Sequence, residues 1–78
     1  MIKERKILEE VLEEYKQATK KFGRFNSTHE GHSVIEEEFD ELWDEIKANS
    51  NPMGNMRKEA IQLTAMGLRF IVDCCESS

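Results

Sequence analysis

Apolar residues recur along this chain at the spacing of a helix, and nowhere at the spacing of a strand. Residues 3–22 carry Ile7, Leu8, Val11, Leu12, Tyr15, Ala18 and Phe22 at i, i+3, i+4 and i+7 intervals, the stripe of an amphipathic helix. The opposite face mixes signs, with Glu13, Glu14, Lys16 and Lys20. No alternation of period two persists, and no Asn-Gly or Asp-Gly pair offers a hairpin turn. The expected fold class is therefore all-α.

Turn chemistry divides the chain into three such helices. Gly23 tolerates the left-handed geometry that ends a helix, and Arg24-Phe25-Asn26 reads as a short connection. Ser27-Thr28-His29-Glu30 has the spacing of a capping box, in which the hydroxyl and the glutamate satisfy amides of the first turn. Residues 49–55, Asn-Ser-Asn-Pro-Met-Gly-Asn, form the clearest loop and hold the only proline. Helices are expected over about 3–22, 28–48 and 56–75, as an antiparallel bundle within one domain spanning 1–78.

A bundle this small has difficulty standing alone. A chain of 78 residues buries only about 60% of the surface its unfolded form exposes, and small scaffolds normally add a staple. The two cysteines are adjacent, Cys74 and Cys75, so they cannot join distant segments. Nor do they have neighbours spaced for zinc. The third helix is apolar almost all round, from Met56, Ala60 and Ile61 to Phe70, Ile71 and Val72, which implies burial on every side. Two small helices cannot supply that, so the bundle is expected to be completed by oligomerisation, as a homodimer or homotetramer. A net charge of −5 argues against a nucleic-acid partner. The apolar runs are too short to span a membrane, and residues 1–10 lack the apolar core of a secretory signal, so a cytoplasmic location is expected.

The acids are distributed unevenly. Eight of the sixteen fall between Glu30 and Glu45, a stretch without Lys or Arg, whereas a solvated helix intersperses signs because like charges one turn apart repel. At about 100° per residue, Ile35, Phe39, Leu42, Trp43 and Ile46 form one apolar arc. Glu38, Glu41 and Glu45 run along its flank, with Glu37 and Asp44 further round. Glu38 and Glu41 are three apart and can reach one point in space, and beside an apolar arc two carboxylates repel strongly unless a cation lies between them. In the third helix Glu59 and Gln62 repeat that spacing on one stripe.

With these residues in view, the chain resembles the MazG-like all-α nucleoside triphosphate pyrophosphohydrolases, in the short bacterial and phage form. Glu37-Glu38-Phe39-Asp40-Glu41 matches the E-E-x-x-E of that family, and Glu59-Ala60-Ile61-Gln62 stands where its E-x-x-D lies. The resemblance covers roughly residues 28–72. It implies a Mg²⁺ site, with Mn²⁺ a possible substitute, formed by Glu38, Glu41, Glu59 and position 62. It further implies a nucleoside triphosphate substrate cleaved to monophosphate and pyrophosphate by water that Glu37 or Glu38 positions. A triphosphate is itself an anion, so an acidic protein would bind it through the cation.

One position departs from the pattern. Gln62 replaces the last aspartate, and an amide is a weaker magnesium ligand than a carboxylate. The missing charge removes on the order of several kcal/mol of attraction at an effective dielectric near 20. The alternative is therefore a non-catalytic relative, a helical oligomer that binds nucleotide or a protein partner. His29 at the start of the acidic helix, and Arg57 and Lys58 before Glu59, are the weaker candidates for substrate contacts.

Overall fold

A computed structural model describes residues 2–76. Met1, Ser77 and Ser78, the ends of the expected 1–78 domain, lie outside the described residues. The chain is all-α. Helix α1 runs Ile2–Phe22, α2 Thr28–Lys47 and α3 Arg57–Phe70. Pro52–Met56 form a π-type turn broken at Gly54 (φ −108°, ψ −117°) that leads into α3. At its far end α3 widens through Ile71–Cys75, where the Glu76 amide reaches back five residues to the Ile71 carbonyl at 2.8 Å.

The helix ends follow from local chemistry. Gly23 takes φ +77° and its amide bonds the Thr19 carbonyl at 2.8 Å, closing α1. Ser27 caps α2: its Oγ accepts the Glu30 amide at 3.1 Å. The Glu30 carboxylate reaches back one residue further than a capping box requires, to the Asn26 amide at 2.8 Å.

Helix α3 is the hub. Helices α1 and α2 pack against it rather than against each other. Arg57 meets Glu10, and Arg69 Nη2 donates to the Gly23 carbonyl at 2.7 Å, so α1 and α3 run in the same direction. Gly31 of α2 lies against Phe70, so α2 runs the other way. Val11, Phe25, Ala65 and Met66 are the buried hydrophobic residues, with partly buried side chains such as Ile7, Val34 and Ile61 around them.

The α1–α2 connection is clamped from α3. The buried Asp73 carboxylate accepts the Phe25 amide at 3.0 Å and lies 3.5 Å from Arg24 Nε. The Arg69 guanidinium stacks on the Phe25 ring, 4.1 Å from its centroid. These contacts set the angle at which α1 and α2 diverge, and an open groove lies between them.

The apolar arc of α2 is divided. Ile35 and Leu42 turn inward, half-buried, while Phe39, Trp43 and Ile46 are exposed. The arc is wider than one neighbouring helix can cover, and α2 is rotated so that Glu38, Glu41 and Glu45, all half-buried, share its inner side. Nor is α3 covered on every side within the chain, since Ile71 and Val72 remain exposed.

Candidate metal centre

The antiparallel pairing of α2 and α3 brings their acidic stripes level. Glu38 and Glu41 project one turn apart from α2, and Glu59 projects from the first turn of α3. One carboxylate oxygen from each lies within 4.8 Å of the other two, and all three side chains are half-buried. Two oxygens on opposite sides of a Mg²⁺ ion stand about 4.2 Å apart, and around a larger Ca²⁺ ion about 4.8 Å. The three glutamates lie close enough to hold one divalent ion after small side-chain adjustments.

Electrostatics favours such an ion. Burial, then the neighbouring charges of Glu41 and Glu59, push the Glu38 carboxyl up to about 7. Glu59 is raised as well, by burial and its contact with Glu41, against a small opposing pull from Lys58. A divalent cation among these groups would replace repulsion with attraction.

Gln62 lies beside the cluster, half-buried. With its amide nitrogen turned toward the acids it donates to Glu59 Oε2 and Glu38 Oε2, both at 3.2 Å. A half-turn of the same amide presents its oxygen as a neutral fourth ligand.

The groove between α1 and α2, about 690 Å³, reaches the cluster at Glu38 and Gln62. Glu38 and Gln62 form part of its wall, Met66 and Arg69 its floor, and Ala18, Phe22 and Val34 its apolar sides. Its volume falls within the range of small-molecule sites. Glu37 lines the groove beside Glu38 and is exposed.

Of the remaining candidates, Arg57 and His29 lie apart from the cluster, while Lys58 is near enough to Glu59 to act on its charge. Arg57 turns toward α1 and holds Glu10 through both guanidinium nitrogens, at 2.8 and 2.5 Å. Lys58 lines a smaller pocket with Arg57 on that side. His29 is exposed in the first turn of α2, about 13 Å along the axis from Glu38. Arg69, in contrast, lies in the groove floor, almost fully buried, with its Nε unpartnered. Its position on the stripe of Gln62 and Met66 is visible in the sequence, but the bend in the chain that makes this stripe a floor is not.

No protein-family model, curated protein or solved structure matches this chain.

Proposed function

We propose that this protein is a metal-dependent nucleotide pyrophosphohydrolase, cleaving nucleoside triphosphates to monophosphate and pyrophosphate, and that it works as a homodimer or homotetramer. The observation that carries this reading is the convergence of Glu38, Glu41 and Glu59 on one point, with Glu38 also lining a nucleotide-sized groove. These three carboxylates would hold Mg²⁺, or Mn²⁺ in its place, with Gln62 as the neutral fourth ligand. Bound there, such an ion would offset charge on the phosphate oxygens. Glu37, solvent-facing beside the cluster, accepts a proton from the attacking water. The apolar sides of the groove exclude water from one face of the nucleoside, and the acidic wall leaves no room for a triphosphate that arrives without cations.

One observation favours a second reading, a non-catalytic nucleotide-binding or protein-binding oligomer. In its donor orientation Gln62 bonds two of the three carboxylates, and so satisfies them in part without an ion.

A panel of nucleoside triphosphates with Mg²⁺ or Mn²⁺, assayed for pyrophosphate release, separates the two. Turnover of at least one substrate, abolished by Glu41→Gln, is expected. No pyrophosphate from any substrate eliminates the enzyme. Gln62→Asp should tighten Mg²⁺ binding by tenfold or more in calorimetric titration, and unchanged affinity would remove position 62 from the ligand set.

A further inference from the structure

The lone chain is short of cover on one side. It exposes 5913 Å², whereas a folded monomer of its 9.1 kDa exposes about 4,900 Å². The excess, about 1,000 Å², is close to the roughly 800 Å² that each partner contributes to a stable interface. Among the described residues, Leu8, Leu12, Phe39, Trp43, Ile46 and Ile71 are large exposed hydrophobic side chains on one face.

That face follows from how the helices are paired. Helix α3 turns Arg57 toward α1 and Glu59 and Gln62 toward α2, so Ala60, Thr64, Gly67 and Ile71 occupy the stripe that points away from both. Ile71 is 51% exposed, and a Cβ at Gly67 would meet nothing within 4 Å. The Thr64 hydroxyl is satisfied by the Ala60 carbonyl at 2.8 Å, so its methyl group can face outward with no polar group left needing water. On the α2 side stand Phe39, Trp43 and Ile46, 60%, 51% and 44% exposed. On the α1 side stand Leu8 and Leu12, 65% and 43% exposed. With Glu10 beside Arg57 and Glu38 beside Gln62, both sets are level with the first two turns of α3. The metal cluster and its groove open on the opposite side.

We infer that a second copy of this chain docks on this face, back to back across α3, about a two-fold axis running along that helix. That axis sets Leu8 and Leu12 of each copy against Phe39, Trp43 and Ile46 of the other. The charges at the borders agree with it. Lys16 edges the α1 strip level with Glu36 and Asp40 at the edge of the α2 strip, all three exposed, so across the axis a basic side chain meets two acidic ones. The small side chains of the central stripe let the two α3 backbones approach closely. Both metal grooves then face outward, open to ligand. This inference names the surface for the assembly proposed above and is independent of the metal chemistry.

The test is sedimentation velocity on the full chain in EDTA at 10–100 µM, order-of-magnitude concentrations suited to interfaces of this size, with fluorescence of Trp43, the only tryptophan, as a second readout. The expected wild type is a dimer whose Trp43 emission is blue-shifted, protected from acrylamide, and red-shifts on dilution. At Gly67→Arg the new Cβ meets nothing within 4 Å in one chain, the flexible arginine stem can turn to solvent, and a helix-disfavouring residue is replaced, so a lone chain would tolerate it. In the dimer it should abolish association and expose Trp43, with helical circular dichroism retained at low temperature. A monomeric wild type overturns both the face and the assembly. A wild-type dimer with freely quenched Trp43, or a Gly67→Arg protein that still dimerises, overturns this face alone. Pyrophosphate release is read separately, so failure of either idea leaves the other intact.

Discussion

Glu38→Gln should stabilise the metal-free protein at pH 8 while removing its response to metal. In the wild type the Glu38 carboxyl titrates at about 7, above its ordinary 4.5. Between those values the native state keeps a proton that the unfolded chain releases, so stability is lost as pH rises from 4.5 to 7. The full shift would correspond to about 3.4 kcal/mol. The side chain is only half-buried, and solvent screening reduces this to about 1–2 kcal/mol. Glutamine keeps the shape and cannot ionise, so the variant should escape that loss. For a domain of this size the difference amounts to roughly 5–10 °C in Tm. A divalent ion at a hundred times its Kd should add about 2.7 kcal/mol to the wild type and far less to the variant. The assay is thermal unfolding followed by circular dichroism, at fixed protein concentration, with EDTA or MgCl₂, at pH 5 and pH 8. The reasoning fails if Glu38→Gln lowers Tm at pH 8 in EDTA as much as at pH 5. That result would mean the carboxylate is held by favourable bonds, without net repulsion.

Two further substitutions test the packing that positions the site. Gly31→Ala would place a methyl group 2.7 Å from Phe70 Cδ2 and 3.2 Å from Phe25 Cδ2. Overpacking of about 1–3 kcal/mol should outweigh the gain of roughly 0.5–1 kcal/mol in helix propensity, so urea unfolding should show net destabilisation. Asp73→Ala removes the acceptor of the Phe25 amide and the partner of Arg24. A loss of about 1–3 kcal/mol in the same measurement, with weaker ligand binding in the groove, is expected; a value within about 0.5 kcal/mol of wild type would show that the clamp is not what sets the helix angle.

Much of the architecture is legible locally. The 3.6-residue period, Gly23 with its positive φ, Ser27 with the Glu30 amide and the Asn/Pro-rich turn before α3 each act within a few residues of one another. The exclusive acidity of 30–45 and the spacing of Glu38 with Glu41, and of Glu59 with Gln62, likewise follow from the primary structure. Those spacings are properties of single helices, and a helix carries its geometry with it. The meeting of Glu59 with the α2 pair is different, because it depends on the register between two helices, which Gly31 against Phe70 and the Asp73 and Arg69 clamp determine.

Rotation about a helix axis is also decided by packing. The sequence by itself determined that α2 has an apolar arc with acids along its edge. Only the tertiary structure decided that the acids face inward with Ile35 and Leu42, leaving Phe39, Trp43 and Ile46 in solvent. Periodicity specifies which residues share a face, but it carries no information about which way that face points. That choice is made by the other helices, through contacts far apart in sequence such as Gly31 with Phe70 and Phe25 with Asp73.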